Sequence, residues 1–469
     1  MTRAGRLTRE IGVFDATALV VGSMIGSGIF IVSAESSRVV GSAGWLLAAW
    51  TIAGLSTMVA ALCCAELAAM LPRAGGQYVF FREAYGPLAG FLFGWTLFLV
   101  VQSGTIAAVS VAFAKYLGVL WPAVSGSRRL FTLGPVSVSA VQGVAILVIL
   151  ALTASNATGL KTGTRTQNVF TVAKFTALLA LTAAGLVLGG GSGAALAQPR
   201  LFRAVESGGG ELTGMALLAA IGTAMVGPLF SQSAWNNVTF AGEEIREPGR
   251  TLPRALLRGC AVVTILYVAA NVAYLNVLPL AGVAHAPEDR VAAAVATSLF
   301  GARAAGAVAA AIMVSTFGCV NGLILSGARV CFAMARDALF FRGLERVNAA
   351  GVPGNALAAQ AGWSCLLVLS GSYSDLLKYV ISADLLFYVL LVLAVIVLRR
   401  KRPDLPRPFR APGYPVLPLL YAGAGMLLIV ILLSGNPKTT WPGYLLVLSG
   451  VPVYALWRRR SEALSERAR

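Results

Sequence analysis

Apolar runs of about twenty residues recur along nearly the whole chain, and no other feature constrains its fold as strongly. As a helix, a run of that length covers the roughly 30 Å of hydrocarbon in a bilayer. Twelve such runs can be counted: residues 11–32, 44–71, 87–120, 136–154, 167–188, 212–241, 252–278, 302–335, 355–369, 376–398, 416–433 and 441–456. Residues of the AVILMFWYC set make up 57% and charged residues only 12%, about half the charged share of a soluble domain. Too few polar side chains remain to cover a soluble surface, and disorder needs the opposite composition. An outer-membrane barrel would show segments of about ten residues alternating with period two, and the runs show no such alternation. The fold class expected is an all-α integral membrane protein: one transmembrane domain over residues 1–469, in contact with lipid.

The formal net charge of +18 fits loops on the inner side of a membrane, where Lys and Arg collect. With the N-terminus placed inside, 26 of the 37 basic residues fall on inner segments, including Arg3, Arg6, Arg246, Arg329, Arg399 and Arg469. Ten fall outside, including Arg38, Arg200 and Arg303, and Lys174 lies within a span. This bias predicts twelve spans with both termini cytoplasmic, in a bacterial inner membrane if the source is bacterial. Nucleic acid is not an expected partner, since no aromatic-interleaved basic patch or reading motif is present. The six cysteines sit in or beside apolar runs and read as packing residues. With His285 the lone histidine, a multi-histidine metal site is ruled out, and no cofactor is expected. The basic N-terminus has no small-residue cleavage site, so no removable signal peptide is read.

Two spans are interrupted at mid-length. The first holds Gly22-Ser23-Met24-Ile25-Gly26-Ser27-Gly28. The sixth holds Gly227-Pro228 and then Ser231-Gln232-Ser233-Ala234-Trp235-Asn236-Asn237. Both are poor in helix formers. Broken spans at matching places in two halves point to a carrier site. The breaks lie about 206 residues apart, from Gly26 to Gln232. That spacing predicts a five-plus-five inverted repeat, with halves at about 11–190 and 212–398 and two extra helices at about 416–456.

Unwound backbone in hydrocarbon costs several kcal/mol per unpaired polar group, so it persists only where protein, water or ligand satisfies it. A break in span one frees the amides of Gly26, Ser27 and Gly28 at a half-helix N-terminus, which suits a carboxylate. The break in span six frees carbonyls near Phe230–Ser233, which suit an ammonium. A zwitterion with both groups on one carbon, the backbone of an α-amino acid, fits between them. The substrate-binding candidates are therefore Ser23, Met24, Ile25, Gly26, Ser27, Gly28, Phe230, Ser231, Gln232, Ser233 and Asn236. Gly22-x-x-x-Gly26 is also a helix-packing pattern, as are Gly90-x-x-x-Gly94 and Gly318-x-x-x-Gly322. The added Gly28 and the second break move only the first of these towards a site.

Lys174 at mid-span costs about 2.5–3.5 kcal/mol on insertion scales. It either snorkels to the interface or forms an interior ammonium held by carbonyls or hydroxyls, where it would take the place of a bound sodium ion, or lose its proton on burial and couple transport to pH. Ser315 and Thr316 in span eight complete the coupling candidates; bonding to neighbouring helices is their plainer reading. Phe230 either closes over a ligand or packs in the core. Glu66, Glu243 and Glu244 read as salt-bridge partners of nearby arginines. Asp384 lies within span ten and receives no role.

These residues resemble a known family. GSMIGSGIF at 22–30 is similar to the span-one signature of the amino acid–polyamine–organocation superfamily, specifically its bacterial L-type amino-acid-transporter-like branch. Similarity continues in AELAAMLPRAGGQYVFFREAYGPLAGFLFGW (65–95), QNVFTVAK (167–174), WNNVTFAGEEIREPGRTLPRAL (235–256) and STFGCVNGLILSGARVCFAMARD (315–337). The resemblance implies an inverted-repeat helical fold working by alternating access. It implies that Gly26, Ser27 and Gly28 hold the substrate carboxylate. Carbonyls near Met24–Ile25 and Phe230–Ser231 would hold the amine, Phe230 would act as an aromatic gate, and Lys174 would be the span-five lysine of sodium-independent transport. Close relatives commonly read aromatic-small-Tyr-Gly-Gly-Trp in span six, where Gln232, Ser233 and Ala234 stand here. Residues 118–134 contain no cysteine, so no disulfide-linked accessory subunit is expected.

Neutral L-amino acids lead as substrates, because neither broken segment carries an acidic residue. Cationic amino acids or polyamines are the runner-up. A transport-dead amino-acid sensor is the reading of another class, opposed by the short tail after Leu456. An enzyme is not expected, since no His-Glu-x-x-His or Gly-x-Ser-x-Gly motif occurs.

Overall fold

The computed structural model describes residues 9–467, except 125, 127, 134–135, 191–194, 198–200, 206–209, 302–303, 371–372 and 436. Arg3, Arg6, Arg200, Arg303 and Arg469 of the charge count lie outside the described residues. The chain is almost entirely helical. Its first half holds α1 (Val13–Met24), α2 (Gly28–Val40), α3 (Ala43–Met70), α4 (Gln77–Tyr85), α5 (Pro87–Thr96), α6 (Gln102–Leu120), α7 (Ala140–Ala157) and α8 (Leu160–Leu188). Then follow α9 (Gly214–Ser231), α10 (Asn237–Phe240), α11 (Pro248–Val277), α12 (Leu280–Ala284), α13 (Val291–Phe300) and α14 (Ala304–Arg336). The last four are α15 (Gly354–Ser370), α16 (Tyr373–Lys401), α17 (Val416–Gly435) and α18 (Pro437–Arg467).

Among the described residues, eight helices are long and apolar enough to cross a bilayer, with α5 and α6 joined as one helix over Pro87–Leu120. The pair α1 and α2, bent by 41° at the break, makes a ninth. The other expected runs appear as α15, which has 17 residues, and as α16 and α18. The last of these carries Pro442 and Pro452 inside it. The span-one expectation ended at residue 32, but α2 continues to Val40. It stops there because Gly41 adopts a left-handed φ of 53°, which glycine accepts without strain.

The all-α expectation needs one correction. Strands β1 (Arg129–Leu133) and β2 (Val136–Ser139) form an antiparallel hairpin, with Phe131 opposite Val138. The fourth run therefore becomes helical at Ala140 rather than at 136. Ser139 caps that helix: its Oγ accepts from the Gln142 amide at 3.3 Å, and the Gln142 side chain accepts from the Ser139 amide at 2.9 Å. This reciprocal box defines a helix start.

Helix α8 is inside out relative to a helix in a soluble protein. Its buried stripe is Leu160, Gly163, Gln167, Thr171, Lys174, Leu178, Thr182 and Gly185, a helical spacing dominated by polar and small residues. Its outward face carries Val169, Val172, Leu179 and Val187, the last 78% exposed. Apolar-out and polar-in is what hydrocarbon solvent selects.

Helix α1 is enclosed by α8, α11 and α14, while α2 lies along α9. A backbone bridge joins the chain before α1 to the chain after α10: the amides of Glu10 and Ile11 donate to Glu244 O at 2.9 and 3.0 Å, and the Arg246 amide donates to Ile11 O at 2.9 Å. The expected ion pairs form at the same end. Glu66 pairs with Arg399 at 2.6 Å, Glu243 with Arg336 at 2.9 Å, and Glu244, fully buried, with Arg329 at 3.1 Å. The two patterns assigned to packing do pack: Gly94 abuts Met334, and Gly318 abuts Phe170.

Candidate functional site

Helix α1 ends because Ile25 turns to extended backbone at ψ 90°. The Gly26 amide then folds back onto Met24 O at 2.9 Å, so of the three amides expected to be free this one is engaged in a tight turn. A Cβ on Gly26 would stand 3.2 Å from Cys319 Sγ on α14. Helix α2 begins at Gly28, and the amides of Gly28 and Ile29 have no partner within the helix.

The carbonyls that α1 leaves open are held by side chains. Lys174 is 1% exposed, which excludes the snorkelling reading. Its Nζ donates to Gly22 O, to Ile25 O at 2.7 Å and to Ser315 O at 3.3 Å. The ammonium thus sits in a cage of three carbonyls at the negative end of the α1 dipole. Ser315 Oγ reaches Ile25 O at 3.3 Å and Gly26 O at 3.4 Å. Tyr267 on α11 donates to Met24 O at 3.0 Å, and Cys319 Sγ lies 3.3 Å from Ser23 O. The Ser23 hydroxyl itself is buried without a partner. Thr316 does not join this group, since its hydroxyl returns to Ile312 O at 2.8 Å in its own helix.

The second interruption follows α9. Pro228 lies inside that helix, and the chain turns at Ala234, whose φ is +65°, before the single turn α10. Ser231 Oγ caps back onto Gly227 O at 2.9 Å. Gln232 points away from the first break: its side-chain amide donates to Trp50 O at 3.3 Å and accepts from Thr264 at 3.1 Å. Asn236 donates to Gln77 Oε1 at 2.6 Å and accepts from the Tyr388 hydroxyl at 3.4 Å.

The two interruptions meet directly. A Cβ on Gly28 would lie 2.8 Å from Ser231 Cβ and 3.1 Å from its Cα, so glycine is what lets the start of α2 approach the end of α9. Beside this contact Phe230 and Ser233 line a cavity with Thr57, Trp235, Asp384 and Tyr388. Reading the sequence gave Tyr267 and Cys319 no part at the break and left Asp384 without one. A tyrosine in an apolar helix carries no signal of its target, whereas a mid-span carboxylate does.

The chain thus has a broken first span whose last carbonyls clasp a buried lysine, pressed against a second interruption. It matches the model of the amino acid permease family over residues 11–453. The chain belongs to this family. The permease is 31% identical to the human large neutral amino acids transporter small subunit 2, over 98% of this chain and 83% of that protein. It is 29% identical to the mouse b(0,+)-type amino acid transporter 1, over 96% and 88% of the two chains. It is 28% identical to the serine/threonine exchanger SteT of Bacillus subtilis, over 98% and 99%. With its set of apolar helices, the permease is a multi-pass membrane protein of the amino acid–polyamine–organocation superfamily.

Proposed function

We propose that this permease is a secondary carrier of L-α-amino acids, working by alternating access across the cytoplasmic membrane without sodium, through exchange or proton-linked uptake. The contact of Gly28 with Ser231 carries the reading. It brings the first-turn amides of one half-helix beside the end of another, so that opposite partial charges face a zwitterion. The substrate carboxylate is assigned to the amides at Ser27 and Gly28. The amine is assigned to carbonyls of Ile25 and Phe230, at the ends of α1 and α9.

The caged ammonium of Lys174 stands where a sodium ion would otherwise neutralise the carbonyls, which supports sodium independence. Twelve spans in two inverted sets of five plus two, with both termini cytoplasmic, form the accompanying topology, supported by the distribution of Lys and Arg. Neutral side chains lead, in keeping with the names of the relatives. The test is uptake of a panel of labelled amino acids into proteoliposomes, with and without internal substrate, a pH gradient and sodium. Uptake of amino acids but not of their amides or decarboxylated analogues is the expected result; equal uptake of analogues lacking the carboxylate would remove the site.

A further inference from the structure

The neutral preference rests on finding no acid in the two broken segments, but a third element brings one to their edge. The cavity beside Phe230 lies between α3, α9, α16 and α17, and Asp384 of α16 forms part of its wall. Most of the wall is apolar, with Val226 and Leu229 on one side and Leu385 on another. Among the described residues that line it, none is basic. Tyr388, one helical turn further along, donates to Asn236 of the second break at 3.4 Å and stacks on Trp235 with ring centroids 5.5 Å apart.

A carboxylate set among apolar side chains is costly without a cation, and the described wall supplies none. Such a group either takes up a proton or pairs with a cation that enters the cavity. Phe230 and Ser233 of the second break line this space, and the position next to Phe230 is that of Ser231, which touches Gly28, so the cavity adjoins the place assigned to the substrate. The apolar wall suits a methylene stem, the Phe230 face suits a cation passing over it, and Asp384 suits the charged head.

We infer that this cavity is the side-chain subsite of the carrier and that Asp384 is its specificity-determining residue, admitting amino acids whose side chains end in an ammonium or guanidinium group. The inference rests on the carrier reading above and widens its substrate class.

L-Lysine and L-norleucine test it, because they share backbone and stem and differ at the terminal amine. Labelled uptake of both into proteoliposomes of the full chain is measured at pH 5.5 and 7.5 for the native protein, Asp384→Asn and Asp384→Glu. The native protein takes up lysine. Asp384→Asn lowers the lysine-to-norleucine uptake ratio at least tenfold, as expected for loss of a charge-assisted bond, and Asp384→Glu keeps a ratio favouring lysine. Native norleucine uptake with neither lysine uptake nor competition by lysine overturns the inference while leaving the carrier reading intact. So does an unchanged ratio in Asp384→Asn, including the case where that variant alters only the pH dependence, which would assign Asp384 to a proton. Failure to take up either amino acid also overturns the inference, and the carrier reading falls with it only if the whole amino acid panel fails as well. The native lysine arm depends on no variant, so a poorly folded Asp384→Asn protein does not shelter the inference.

Discussion

Replacing Lys174 by methionine keeps most of the stem and removes the ammonium that closes the first break. Gly22 and Ile25 lie at the end of α1, where carbonyls have no partner within the helix. Both are buried, and both accept from Lys174 Nζ. Without the ammonium, Gly22 O is orphaned, while Ile25 O keeps the Ser315 hydroxyl at 3.3 Å. An orphaned buried carbonyl costs about 1–3 kcal/mol, so one full loss and one partial loss come to roughly 2–3 kcal/mol. Ser315 O adds little, since it lies within α14. If that cost falls on the closed geometry of the break, the substrate-competent population drops by about 30- to 100-fold at 1.4 kcal/mol per decade. The apparent dissociation constant rises by the same factor. Equilibrium binding of a labelled amino acid to purified protein, with thermal unfolding as a control for folding, measures this directly. Affinity within threefold of the native value in a folded Lys174→Met protein would refute the idea that the lysine organises the break.

Gly28→Ala should lower uptake roughly ten- to hundredfold, matching the 1–3 kcal/mol of an overpacked contact; the double variant Gly28→Ala/Ser231→Gly should recover part of it in the same uptake assay. Arg329→Ala strands the buried Glu244 carboxylate and should cost about 3–5 kcal/mol, read as a lower melting temperature in detergent. Burial pushes the Glu244 carboxyl up, while Arg329 pulls it down. With the arginine gone, burial and the neighbouring Glu243 and Glu10 all push upward, so the group accepts a proton more readily when folded, and the deficit should shrink as pH falls and grow as it rises. Replacing sodium by choline should leave uptake intact, and strong sodium dependence would contradict the role given to the lysine cage.

The break in α1 and the interior position of Lys174 were both legible in the sequence for the same reason: each is expensive in hydrocarbon unless something specific offsets it. Gly22 to Gly28 lacks the residues to hold a helix, and a lysine two turns into an apolar run needs acceptors. Less could be read where the answer depended on which way a side chain turns. Gln232 shares the second break with Phe230, yet faces Trp50 and Thr264, a choice made by packing around Gly54 and α11. Thr316 follows Ser315 by one position and so lies about 100° around the helix, off the break. The hairpin at 129–139 was hidden because Val136 and Val138 extend an apolar run, and only the Ser139–Gln142 box marks where helix begins. Asp384 was conspicuous, but its proximity to Phe230 follows from how α16 and α17 close around α9, which no local pattern encodes.

The bridge between residues 10–11 and 244–246 runs from main chain to main chain, so side-chain substitution barely touches it; only loss of an N–H, as in Ile11→Pro or Arg246→Pro, unties it. It joins the stub leading into the first interrupted helix to the stub leaving the second. Those two pieces are consequently yoked: a swing of one drags the other, and the freedom for a conformational cycle is left to the unwound joints at Gly26 and Ala234. A carrier built this way has two pivots and one lever.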